Sequence, residues 1–162
     1  MYDQGRAAAT SSARGCSGKT VAQERYEHLG RELLSYIGLK EPHVIRRTYS
    51  GAVTVRNGRI HVSAPWPTSG PRKLYVLAHE VAHAILHVGA IKAGHPSLGR
   101  EELEAETWAI SWLRARGVHV SDEIKRGARD YVIASYRREY LRDVDRKLKA
   151  VEEMVCARIP VK

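Results

Sequence analysis

Residues 73–87 read KLYVLAHEVAHAILH, and the five residues from His79 to His83 decide how the rest of the chain is read. Leu74, Leu77, Val81, Ile85 and Val88 recur at steps of three and four. The spacing predicts a helix over about residues 72–88, stopped by Gly89, with one apolar stripe for a core. His79 and His83 fall on a different face of that helix. Four residues apart, they stack two imidazoles one turn from each other, within reach of a single metal ion. Glu80 then sits beside the ion without ligating it, where a carboxylate takes a proton from water. The competing reading is a surface helix with two unrelated histidines.

A tetrahedral site that keeps one position for water needs a third protein ligand. The segment EELEAETWA at 101–109 offers four acids. Glu102 is the first choice, because Ala105 and Ala109 follow it at steps of three and four, and small residues on that face let two helices approach closely. Glu106 lies one turn beyond Glu102 and is the candidate acceptor for a ligand imidazole N–H. Glu101 and Glu104 are expected to face solvent. His95 is the alternative third ligand, from a loop that folds back over the site. Candidates for the donor that stabilises an oxyanion are His87, His95, Tyr49 and Tyr131.

Working outward, a helix is predicted over about residues 20–37, with Thr20 as its cap and Gly38 as its stop. Strands follow from Val44–Ile45, from Ala52 to Val55 and from Ile60 to Val62. Asn57-Gly58 between the last two is a hairpin signal, since both residues tolerate positive φ. The strand at 60–63 is a candidate edge for an extended peptide. Residues 89–100 read as a loop. A further helix is expected over about 100–116, ending at Gly117, and one or two more, capped by Ser121, to about 157. Leu141, Val144, Leu148, Val151 and Val155 give a heptad-like stripe, read as an intradomain packing face rather than a dimer seam. Fold class is therefore α+β, with a small antiparallel sheet packed on the His79–His83 helix and further C-terminal helices. The expected organisation is a flexible tail over 1–18, a core over 19–118 and a helical extension over 119–162 packed on that core.

KLYVLAHEVAHAILH followed by EELEAETWA resembles the ImmA/IrrE-type metallopeptidases, a zincin-fold family associated with mobile elements, repressor cleavage and stress responses. The resemblance covers about residues 20–116. It implies a zincin-like core, Zn2+ as cofactor, His79, His83 and Glu102 as metal ligands, and Glu80 as catalytic acid/base. The second helix departs from the family by reading ISWLRARG where members often have a Leu-Leu-Met-Pro-like stretch. No helix-turn-helix module is evident.

The 162 residues suit one domain, and 43% hydrophobic content exceeds that of a disordered chain. Phe is absent, so Leu, Val, Ile, Trp and Tyr must fill the core. Cys16 and Cys156 are too few for a disulfide framework or a cysteine zinc site. No signal-peptide core and no bilayer-spanning apolar run is evident, so a cytoplasmic, non-membrane protein is expected. Formal net charge is +9, with most of the basic excess before residue 79. Weak nucleic-acid association through that half is one partner expectation, and a protein substrate is the other. Residues 13–20 form a permissive phosphate-loop pattern without the buried strand it needs, and are discounted. Two function classes follow: a zinc endopeptidase cleaving an intracellular protein, and a nucleic-acid-associated binding protein with a structural or vestigial zinc site. Glu80 separates them, because a structural site needs no base. Manganese or iron would fit the same ligands as zinc.

Overall fold

The computed structural model describes residues 19–39, 43–44, 50–67, 70–95 and 98–158, of which 43, 44, 151, 152 and 154–158 are described by backbone alone. Its elements run α1 (Val21–Ser35), β1 (His43–Val44), β2 (Ala52–Arg56), β3 (Arg59–Ala64), α2 (Pro71–Leu86), α3 (Val88–Lys92), α4 (Gly99–Ala115) and α5 (Asp122–Arg158).

Thr20 caps α1 through a reciprocal box: the Gln23 N–H donates to Thr20 Oγ1 at 3.2 Å, and the Thr20 N–H to Gln23 Oε1 at 2.8 Å. Such a cap contributes about 1 kcal/mol. Lys19, the other described member of the phosphate-loop-like pattern, is held 2.6 Å from Glu27. Asn57 and Gly58 both take positive φ, 51° and 73°, as a two-residue hairpin turn requires. They set the antiparallel register Val55↔Ile60 and Val53↔Val62. The sheet also gains a short parallel strand, because β1 pairs with the far side of β3, in the order β1-β3-β2. This placement narrows the expectation that residues 60–63 offer an edge, because β1 covers the strand at Ser63. At its end β3 has β1 on one side and β2 on the other, and among the described residues β2 is an outer strand of the sheet.

The core forms where α1, the sheet, α2 and α4 meet. Leu33, Leu34, Val62, Leu74, Leu77, Val81 and Leu113 are fully enclosed there, and Trp112 closes one side. α2 packs most extensively on α4. Ala78 and Ala82 on one helix and Ala105 and Ala109 on the other are wholly buried, so the small residues let the two backbones approach.

Three expectations need correction. Gly89 does not stop the long helix. It breaks earlier, at His87 (φ −124°, ψ 19°), and Gly89 lies inside the short α3, so part of the expected loop is helical. The apolar stripe of α2 ends at Val81: Ile85 is exposed because the core cluster does not extend to the last turn. Finally, the heptad-like stripe has a different fate from the one expected, on a single 37-residue helix that agrees with the one or two helices expected after Ser121, whose Oγ accepts from the Ile124 N–H. Its first turns bury Ile124, Ala128 and Val132, but Leu141, Val144 and Leu148 are exposed, so the stripe is no intradomain face there. Val151, Val155, Cys156, Cys16 and Tyr49 lie outside the residues whose side chains are described. Among the described residues, no helix is long and apolar enough to cross a membrane.

Candidate metal centre

Two elements build the site. α2 presents His79 and His83 on the face turned toward α4, and α4 answers with Glu102 from its first turn. All three side chains are buried. Their inner atoms form a nearly equilateral triangle. His79 Nε2 and His83 Nε2 are 3.1 Å apart, His83 Nε2 and Glu102 Oε2 3.2 Å, and His79 Nε2 and Glu102 Oε2 3.3 Å. An ion bound tetrahedrally at zinc–nitrogen and zinc–oxygen bond lengths holds its ligand atoms about 3.3 Å apart. The donor set and its spacing therefore fit such an ion.

The electrostatics point the same way. Burial alone would raise the Glu102 pKa, but the imidazoles of His79 and His83 outweigh it and hold the carboxyl at about 2. Burial pushes His79 down, yet Glu102 and Glu106 prevail and lift it to about 10. Glu80 is carried up to about 7, first by burial, with His79 opposing and the Glu102 and Glu106 charges adding to the rise. Three carboxylates enclosed together are costly unless a positive charge sits among them.

Behind the triangle, His79 Nδ1 faces Glu106 Oε1 at 3.4 Å, a close charge contact but too long for a well-formed hydrogen bond. The other oxygen of Glu106 accepts a short hydrogen bond from the Tyr75 hydroxyl. Burial, followed by the Glu106 charge, drives the Tyr75 pKa far above its ordinary value, so this phenol stays protonated and donating. His83 Nδ1 lies 3.2 Å from His87 Nδ1, and His87 Nε2 lies 3.0 Å from Glu104 Oε2.

In front of the triangle opens a cleft of about 630 Å³. His79 and Glu80 line it from α2, Tyr131 and Ala128 from α5, and Ser50 and Gly51 from the start of β2. The Glu80 carboxylate presses on Gly51 so closely that a Cβ there would sit 2.5 Å from Glu80 Oε1. Only glycine leaves that space. The Tyr131 ring meets the edge of the His79 ring at 6.0 Å, and its hydroxyl lies 3.5 Å from Glu102 Oε1.

The structure thus brings together His79, Glu80, His83, Glu102 and Glu106. His95 is not drawn in. It sits exposed after α3, away from the triangle. Among the donor candidates, Tyr131 lines the cleft, His87 is turned behind His83, and Tyr49 falls outside the described residues. Glu104 is only half exposed and is engaged by His87, contrary to the expectation of a solvent-facing acid. Sequence reading missed Tyr75 and Gly51. Tyr75 stands one turn before His79, which was an available signal. Gly51 carried none, since its closeness to Glu80 depends on how the hairpin lies over α2.

His79-Glu80-x-x-His83 with Glu102 is consistent with a zincin-like HExxH site, a His/His/Glu cluster able to coordinate a metal ion. No protein-family model, curated protein or solved structure matches the chain, so this class rests on the geometry of the site itself.

Proposed function

We propose that this chain is a zinc-dependent endopeptidase of the ImmA/IrrE type, acting on an intracellular protein such as a regulator of a mobile element or stress response. In this reading His79, His83 and Glu102 hold the metal, Glu80 is the catalytic acid/base and Glu106 steadies His79 from behind. The observation that carries it is the 3.1–3.3 Å triangle of ligand atoms opening onto a cleft that Glu80 also lines.

When bound, zinc supplies Lewis acidity that brings a water to a pKa of about 7 and polarises a carbonyl. Glu80, which lines the cleft beside the ligands, takes a proton from the attacking water and returns it to the leaving amine. Water's oxygen bonds to the carbonyl carbon, whose oxygen takes up the electron pair, and the C=O then re-forms as the C–N bond breaks and the amine leaves with the proton from Glu80. The Tyr131 hydroxyl, kept protonated by burial and by the Glu102 and Glu80 charges, is the donor best situated for the developing oxyanion. An extended peptide docks along the open edge of β2, whose approach through Ser50 and Gly51 borders the cleft.

Glu80→Gln is the decisive variant. It is expected to bind zinc like the wild type and to lose hydrolysis of a quenched fluorescent peptide pool by about 10²–10⁴-fold, the scale of general acid–base catalysis. Equal cleavage by both proteins, or a wild type that binds no metal, sinks the reading.

A further inference from the structure

His87 is a buried titratable group that the chemistry above does not use, and its surroundings are unusual. A ligand imidazole generally backs its outer N–H onto a carboxylate or a carbonyl. His79 has a carboxylate, Glu106, 3.4 Å from its Nδ1, but His83 faces a second imidazole, Nδ1 to Nδ1 at 3.2 Å. One proton must lie between those two nitrogens, and which ring holds it decides the site. A neutral imidazole carries one N–H and one lone pair. If His87 donates, His83 carries its proton on Nε2, and the atom needed in the triangle is blocked. If His83 donates, its Nε2 lone pair is free to bind.

The remaining neighbours select the second arrangement. His87 Nε2 meets Glu104 Oε2 at 3.0 Å, and an ionised carboxylate only accepts. Glu104 is held there by Arg100, whose Nε donates to Oε1 at 2.8 Å. A half-exposed carboxylate paired with a guanidinium at that distance is ionised at neutral pH. His87 therefore carries its proton on Nε2 and offers Nδ1 as an acceptor. The His87 backbone is anchored on both sides, its N–H on the His83 carbonyl at 2.9 Å and its carbonyl on the Ile91 N–H at 3.1 Å. The break between α2 and α3 thus fixes the ring in place. α4 serves His83 twice, with Glu102 before its Nε2 and Glu104 beyond His87.

We propose that Glu104 and His87 are positioning residues of the metal site: Glu104 holds the Nε2–H tautomer of His87, and His87 in turn holds the proton of His83 on Nδ1, freeing the His83 Nε2 lone pair for the ion. This inference rests on the metal-site reading above.

The test is Zn2+ affinity of the full chain at neutral pH, measured by chelator competition, with folding followed by circular dichroism. His87→Leu removes the acceptor and is expected to weaken binding by about 10–100-fold, as loss of such a partner does elsewhere. His87→Asn keeps an oxygen where Nδ1 stood and is expected to restore affinity to within a few-fold of wild type. Glu104→Ala, at a half-exposed position that does not threaten folding, is expected to weaken binding several-fold. The exposed His95→Ala leaves the His83–His87–Glu104 chain intact and is expected to change it far less. In the metal-free chain, nitrogen chemical shifts should report Nε2–H on His87. Undiminished affinity in both His87→Leu and Glu104→Ala, or a proton on His87 Nδ1, overturns the proposal alone. A wild type that binds no zinc overturns the metal site itself.

Discussion

α2 and the distal half of α5 carry the same kind of apolar periodicity and meet opposite fates. On α2 the stripe Leu74, Leu77 and Val81 is wholly enclosed by α1, the sheet and α4. On α5 the stripe Leu141, Val144 and Leu148 follows an equally regular helical step, yet Leu141 is 58% and Leu148 56% exposed. Periodicity reports that a segment is helical and amphipathic. It says nothing of whether another element arrives to cover the face. On α2 the same packing buries the histidines and carboxylates of the candidate metal centre, with His79 and Glu80 at the edge of the cleft.

The comparison is broken most directly by equal truncations on the two helices. Leu77→Ala is expected to cost about 2–5 kcal/mol, because the cavity it leaves is enclosed. Leu148→Ala is expected to stay within about 0.5 kcal/mol of the wild type. Urea denaturation of both variants checks this, and similar losses would mean that the distal helix is covered in solution.

A smaller effect sharpens the claim that the α2 region is closely fitted around Glu80. Gly51→Ala introduces a methyl where the Glu80 carboxylate now lies and is expected to cost about 1–3 kcal/mol, the usual penalty of overpacking. Zinc affinity should change little, since the triangle is not touched. Thermal unfolding with and without zinc separates the two effects, and an unchanged melting temperature would show that the close approach is absent.

The smallest effect belongs to the surface. Glu32 accepts from Arg116 Nε at 2.9 Å and ties α1 to the end of α4. The hydrogen bond from Arg116 lowers the Glu32 pKa in the folded chain. A depressed carboxylate contributes stability that is present above its unfolded value, about 4.3, and is lost as pH falls through the folded one. For a partly exposed pair the contribution is on the order of 1 kcal/mol or less. The melting-temperature gap between wild type and Glu32→Gln should therefore close as pH drops below about 4. A gap that persists there would assign the effect to packing.

Much of this was legible in the residues, and the legible parts share one property: each depends on neighbours close in the chain. The Thr20 cap, the Asn57-Gly58 turn and the end of α4 near Gly117 are local backbone chemistry. The pairing of His79 with His83 follows from one helical turn. Glu102 was accessible because Ala105 and Ala109 marked the face of α4 that approaches α2. The misses are contacts between remote segments. The break at His87 ends α2 before Gly89. Glu104 looked like one more surface acid until His87 was found against it. The short strand β1 covers the end of β3 at Ser63 and Ala64.

The residues alone determined which helices and turns form and that two imidazoles must share one face, since the backbone period sets both over a few residues. Only the folded arrangement decided that Glu102 rather than His95 completes the triangle, that Gly51 makes room for Glu80, and that one apolar stripe is buried while another is left bare. Those outcomes depend on distances between segments far apart in the chain, which arise only when α1, the hairpin, α2 and α4 pack together.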